Sequence, residues 1–322
     1  MTLTELKYIV AVARERHFGK AADACYVSQP TLSVAVKKLE EELDLKLFER
    51  SANEVTVTAL GEEIVRQAQS VLEQAANIKE IARRGKDPLA GALKLGVIYT
   101  IGPYLLPDLV RQIITHTPQM PLILQENFTV KLLEMLRTGE IDCAILAEPF
   151  PDTGLALAPL YDEPFFAAVP TTHPLAAHAT VSTEELKKET LLLLGAGHCF
   201  RDHVLEVCPE FARFSSSSGG IQKSFEGSSL ETIKHMVAAG MGVTLVPRLS
   251  VPKEALVQPV NGKKSKVPAE QPSFIKYLPF VGHIPSRRVV LVWRRSFTRY
   301  EAIAALRNAI YACELPGVTR LS

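Results

Sequence analysis

The hydrophobic period of the chain changes once, near Gly91, and that switch demands two unlike parts. Before it, the residues are helical in pattern almost throughout. After it, short apolar runs alternate with amphipathic helical stretches: LKLGVI (93–98), PLILQENF (121–128), IDCAIL (141–146), FFAAVP (165–170) and GVTLVP (242–247). Strands alternating with helices predict an α/β sheet. GKDPLAG (85–91), with one proline between two glycines, reads as the hinge. SSSSGG (215–220) and NGKKSKVPAEQP (261–272) read as flexible loops. A length of 322 residues exceeds one ordinary domain, and 47% hydrophobic residues suffice for more than one core.

The helical part has a DNA-binding pattern. In SQPTLSVAVKKLEEEL (28–43), Ser28 is the expected N-cap and Pro30 sits in the first turn, where its missing N–H costs nothing. Leu32, Val36, Leu39 and Leu43 make one inward stripe. The other face carries Thr31, Ser33, Lys37 and Lys38, hydroxyls and ammoniums suited to base edges and phosphates. Upstream, FGKAADACYV (18–27) is a short helix whose Ala21, Ala22 and Ala24 allow a close crossing, so the pair reads as a helix-turn-helix. Charge does not force this reading: residues 1–58 hold eight Lys and Arg against nine Asp and Glu, with Glu40 to Glu42 gathered at the helix end. Residues 58–84 continue as a helix roughly 40 Å long. Ile64, Ala68, Val71, Ala75, Ile78 and Ala82 form a heptad seam on it, which predicts a dimerising pair.

Bulk chemistry excludes several classes. Lys and Arg total 36 against 35 Asp and Glu, so neither a basic coat nor an acidic tail is present. No apolar run reaches the ~18 residues of a membrane span, and MTLTELKYIV is not a secretory signal, so the expected compartment is the cytosol. Five cysteines, Cys25, Cys143, Cys199, Cys208 and Cys313, are too few for a disulfide framework. Cys25 and Cys143 read as buried small apolar residues, and Cys313 lies near the tail.

The informative segment is LLLLGAGHCFRDHVLEVCPEF (191–211). Cys199 follows a glycine turn at the start of a helix, with Arg201 nearby; both features lower a thiol pKa and favour the reactive thiolate. Cys208 has no such activation and suits the role of a partner for a sulfenic acid on Cys199. Nine residues of helix separate two Cα atoms by roughly 13 Å, whereas a disulfide needs about 7 Å or less, so bridging requires local unfolding. Three readings stand at this point: unrelated free thiols, a metal site of His198, Cys199, His203 and Cys208 whose spacing is wrong for zinc, and a thiol switch.

AADACYVSQPTLSVAVKKLEEELDLKLFER (21–50) resembles the signature of LysR-type transcriptional regulators: Ala-Ala, then Ser-Gln-Pro-x-Leu-Ser, Leu-Glu and Leu-Phe-x-Arg. The resemblance implies a multidomain protein with an all-α winged helix-turn-helix head (1–58, wing near Glu49–Thr58) and a linker helix with hinge (59–90). A two-lobed α/β effector domain like periplasmic binding proteins follows (91–310), then a tail (311–322). Lobe I is expected at about 91–162 and 270–300 and lobe II at about 163–269, with crossings near 162–165 and 268–272. Carried over residue by residue, Gln29, Pro30, Thr31 and Ser33 are groove contacts, and Lys37 and Arg50 are backbone or minor-groove contacts. Asp44 stands where the family often has glycine. GHCFRD (197–202), Cys208, SSLETIKHMVAAGMGVTLVP (228–247) and TIGPYLLP (100–107) are similar to the hydrogen-peroxide-sensing members of that family. Those members imply Cys199 as peroxidatic and Cys208 as resolving residue. They also imply a peroxide pocket of Thr100, Thr129, His198, Asp202 and Arg288, with Arg201 beside it.

The function so implied is a transcription activator of antioxidant genes, not an enzyme. It would act as a homotetramer on promoter DNA, contact RNA polymerase, be reset by a dithiol reductant system, and need no cofactor, metal or membrane. Two alternatives remain: a LysR-type regulator answering a small-molecule inducer in the inter-lobe cleft, and a thiol peroxidase with a DNA-binding head.

Overall fold

The structure, a computed structural model, describes residues 1–50, 55–84, 87, 89–151, 154–208, 226–227, 229–256 and 274–321. The head is α1 (Leu3–Glu15), α2 (Phe18–Ala24) and α3 (Gln29–Leu43), followed by a wing of antiparallel β1 (Phe48–Arg50) and β2 (Val55–Val57). A capping box between Thr2 and Glu5 starts α1. Ser28 caps α3 by accepting from the Thr31 amide at 3.3 Å. Leu32, Val36 and Leu39 are fully buried, each burial contributing roughly 1.5–3 kcal/mol, and Leu43 packs at the edge of the same core. Ala21 and Ala22 are buried at the helix crossing. Glu40 turns inward and accepts from the Leu47 and Phe48 amides at 2.8 and 3.2 Å, which fastens the start of the wing. Cys25 is only half-buried, because it ends α2 at the turn and not within the crossing.

Helix α4 (Ala59–Arg84) has 26 residues. Its seam divides in two. Ala68 is buried in the head, with Ile64, Val65 and Leu72 packed against the same core. On the seam after Ala68, Val71 and Ile78 stand 36% and 70% exposed. The side chain of Ala82 lies outside the described residues.

The effector region contains β3 (Leu93–Ile98), α5 (Gly102–His116), β4 (Leu122–Asn127), α6 (Thr129–Arg137), β5 (Cys143–Glu148) and β6 (Ala156–Pro170). It continues with α7 (Thr183–Leu186), β7 (Leu193–Leu194), α8 (Cys199–Val207), β8 (Glu226–Gly227), α9 (Leu230–Ala238) and β9 (Thr244–Pro247). It closes with β10 (Ile275–Pro279), β11 (Ser286–Trp293), α10 (Tyr300–Ala312) and β12 (Thr319–Arg320). Strand β3 runs parallel to both β4 and β5, and β11 returns antiparallel to β5. The long β6 belongs to both lobes. Its first part pairs with β11, and its second part, from Phe165 on, pairs with β9 and β10. Two separate cores result. One includes Leu95, Val97, Ile145 and Leu291; the other includes Phe165, Val169, Phe200 and Leu245.

Two expected boundaries move. The return crossing falls between Phe280, in the second core, and Ser286, which already pairs with lobe I; it is not at 268–272, which lies outside the described residues. The reason is that β10 must finish its ladder on the lobe II half of β6 before the chain can cross. Residues 311–321 are not a detached tail. Cys313 and Leu315 enter the lobe I core, and β12 pairs with β6 at Asp162 and Tyr161. The loops 215–220 and 261–272 lie outside the described residues.

Candidate functional site

Three helices begin around one small cavity between the lobes. Thr100 stands two residues before α5, Thr129 opens α6, and Cys199 opens α8. The cavity is about 10 Å³, the room one water-sized molecule needs, and its wall includes Thr100, Phe128, Thr129, Gly197, His198 and Cys199. It lies past the carboxyl ends of β3 and β4, where open α/β sheets bind ligands. Helix N-termini aimed at one point favour negative charge there, such as a thiolate or a leaving hydroxide.

The polar groups are fixed from behind. Arg287 is buried, donates from Nε to Glu163 at 2.9 Å, and donates from Nη1 to the Thr100 hydroxyl at 2.7 Å. A second donation, from Nη2, reaches the Thr100 carbonyl at 3.0 Å. Since the Thr100 oxygen accepts from Arg287, its own proton is left to donate into the cavity. Glu163 in turn accepts from the Leu249 amide at 2.8 Å. The Thr129 hydroxyl is buried on the wall it shares with Cys199 and makes no hydrogen bond, so it is free to meet a bound molecule. His198 is buried, edge-on to Phe128 at 4.8 Å and near Tyr99 at 5.8 Å between ring centres.

Thr100, Thr129, His198 and Cys199 therefore meet, and three other expected residues do not join them. Arg288 is half exposed and paired with Asp162 at 2.9 Å; along a strand, neighbours face opposite sides, and Arg287 takes the inward place. Arg201 donates to the Leu194 carbonyl at 2.9 Å and so braces the start of α8. Asp202 is exposed. Burial pushes the Cys199 thiol up, against the lowering expected from Arg201, and the nearby Thr129 hydroxyl and the Arg287 charge oppose this without reversing it.

Cys208 ends α8, its amide bonded to the Val204 carbonyl at 3.0 Å. It is fully buried in the lobe II core, whereas Cys199 packs against the lobe I core. Neither cysteine is in a disulfide. Intact α8 thus holds them about 13 Å apart along its axis. His203, on the same helix, donates from Nε2 to the Glu148 carbonyl of lobe I at 2.7 Å and leaves Nδ1 buried without a partner. Burial lowers its pKa, so the ring is neutral. Sequence reasoning considered His203 only as a metal ligand. Instead it pins α8 across the lobes, and no cluster of His, Cys, Asp and Glu suited to a metal occurs among the described residues.

On the head, Gln29, Pro30 and Thr31 form the exposed first turn of α3, and Ser33 is half-buried. Lys37 is exposed and 3.6 Å from Glu41. The backbone of Arg50 ends β1; its side chain lies outside the described residues.

An exposed recognition-type helix, a linker helix and a two-lobed sensor define a ligand-controlled DNA-binding regulator. The chain belongs to the LysR family: residues 3–62 match the bacterial regulatory helix-turn-helix protein, lysR family, and residues 86–312 match the LysR substrate binding domain. It is 38% identical over 307 residues, 94% of this chain and 94% of the relative, to the DNA-binding transcriptional dual regulator OxyR of Escherichia coli K12. It is likewise 38% identical to the hydrogen peroxide-inducible genes activator of Pectobacterium carotovorum, over 94% of this chain and 95% of that protein. Full-length OxyR C199D from Pseudomonas aeruginosa aligns with a TM-score of 0.77 and 48% identity, covering 98% of this chain and 96% of that one.

Proposed function

We propose that this protein is a hydrogen-peroxide-sensing transcription activator, switched by a Cys199–Cys208 disulfide. The observation that carries the reading is the small cavity beside Cys199, with room for a water-sized molecule and walled by Thr100, Thr129 and His198. The Cys199 thiolate attacks one peroxide oxygen; the S–O bond forms, the O–O bond breaks, and hydroxide leaves. Thr100 and Thr129 donate to the reacting oxygens, His198 protonates the leaving hydroxide, and Arg287 fixes Thr100. Arg201 and Asp202, outside the cavity, take no step. Cys208 then attacks the sulfenic sulfur, the disulfide forms and water leaves. A dithiol reductant returns both thiols.

Gln29, Pro30, Thr31 and Ser33 enter the major groove, while Lys37 and Arg50 hold the DNA backbone. A homotetramer presents four heads to promoter DNA, and α8 refolding alters their spacing and their contact with RNA polymerase. Two observations support this reading over a cleft-bound inducer: the polar cavity lies directly at Cys199, and the relatives include a hydrogen peroxide-inducible genes activator and OxyR. The test is DNA footprinting of full-length protein on sites selected from a random library. A footprint that changes with peroxide in the wild type and stays fixed in Cys199→Ser is expected. A footprint indifferent to peroxide in both would favour the inducer reading, and sustained peroxide turnover with added dithiol would favour a peroxidase.

A further inference from the structure

The linker helix and lobe I meet across a cleft of about 420 Å³. Arg66, Gln69 and Gln74 of α4 line one side, and Arg137, Arg294 and Arg295 of lobe I line the other. Arg294 is 7% exposed and already committed: it pairs with Glu73 of α4 and donates to the carbonyls of Leu136 and, at 2.7 Å, Ile141. It is the Arg294 Nε that faces the Glu73 carboxylate in that pair. The side chains of Arg66, Arg137 and Arg295 have no ion pair or hydrogen bond among the described residues. A second cleft of about 610 Å³ shares Arg66 and Arg137 and adds Arg16. Its carboxylates are Glu62 and Glu134, and Glu134 is engaged by Lys131 at 3.0 Å.

Cations gathered in a concavity lose part of their solvent screening, and their repulsion is relieved by a shared anion. A guanidinium offers two parallel donors, matched to phosphoryl oxygens better than to a spherical ion. We infer that this cleft binds a small polyanion carrying phosphoryl groups, held by Arg66 from the linker helix and by Arg137 and Arg295 from lobe I, with Gln69 and Gln74 as neutral donors. Because its arginines come from both sides of the joint, the bound anion ties the DNA-binding half to the sensor half and biases their arrangement. The site uses neither thiol.

Inorganic pyrophosphate is the probe, titrated calorimetrically into full-length reduced protein at low ionic strength. Saturable binding is expected, at least about tenfold weaker in Arg66→Gln and in Arg137→Gln/Arg295→Gln, and unchanged in Cys199→Ser and in Lys37→Ala. Circular dichroism checks that the variants fold; if the double variant does not, Arg66→Gln, on an exposed helix face, carries the test alone. Absence of heat overturns the inference, as does equal binding by the arginine variants. Loss in Lys37→Ala alone overturns it by assigning the anion to the DNA face. Altered sedimentation of unliganded Arg66→Gln overturns it too, since the guanidiniums would then serve a contact between copies.

Discussion

Arg287 and Arg288 are adjacent, identical in type and opposite in role. Arg287 is enclosed with Glu163, and removing one member of such a pair strands the other. Arg287→Ala should destabilise the protein by about 3–5 kcal/mol in denaturant melts and slow Cys199 oxidation, because Thr100 loses its support. Arg288→Ala, on the surface with Asp162, should leave both the melt and the oxidation rate unchanged. Equal effects would contradict this assignment. The sequence could not choose between the two. Strand alternation puts one inward, but the following Val289 to Val292 are buried on both faces and carry no parity signal. The thiol is a second case. Arg201 is near Cys199 in sequence, but its side chain turns to Leu194, and the depth of burial that governs the thiol is invisible in a string. With the Cys199 pKa raised, the thiolate fraction, and with it the oxidation rate, should climb about tenfold per pH unit through neutrality. Competition kinetics from pH 6 to 9 checks this; a plateau near pH 7 would contradict it.

Helices were the most legible elements, because a 3.6-residue apolar period and a capping serine act locally. The head, α4 and the strand-helix alternation all follow from such patterns. What sequence left open was which partner each face meets. The heptad seam serves the head through Ile64 and Ala68, and from Val71 to Ile78 it stands exposed at both of those residues. At the end of α3, Asp44 sits at φ 52° and ψ 41°, the left-handed region where glycine is easiest. Asp44→Gly should stabilise the head by about 0.5–1 kcal/mol in thermal melts; a loss would show that the Asp44 side chain matters. Helix α8 is held to lobe I by neutral His203. Its pKa is lowered by folding, so its stabilising contribution is intact above the ordinary histidine value and fades as pH falls through the lowered one. Acidification from about pH 7 to 5 should speed amide exchange in α8, and His203→Gln should remove most of that pH dependence. Exchange that is flat with pH in the wild type would contradict the role of His203.

Across the whole molecule, the two thiols belong to different cores joined by one helix. Joining them requires unwinding α8 and withdrawing Cys208 from lobe II, and the two lobes share the strand β6. In the proposed assembly the exposed end of the α4 seam meets a second copy, so Ile78→Asp should lower the sedimentation coefficient at micromolar concentration; an unchanged value would contradict a contact there. The coupling of chemistry to refolding is tested most directly by mass spectrometry after differential alkylation, on full-length reduced protein given about one equivalent of peroxide. A Cys199–Cys208 linked peptide is expected, absent before treatment and absent from Cys199→Ser, appearing together with loss of amide protection in α8. Both thiols remaining free, or a link forming while α8 stays fully protected, would contradict the switch.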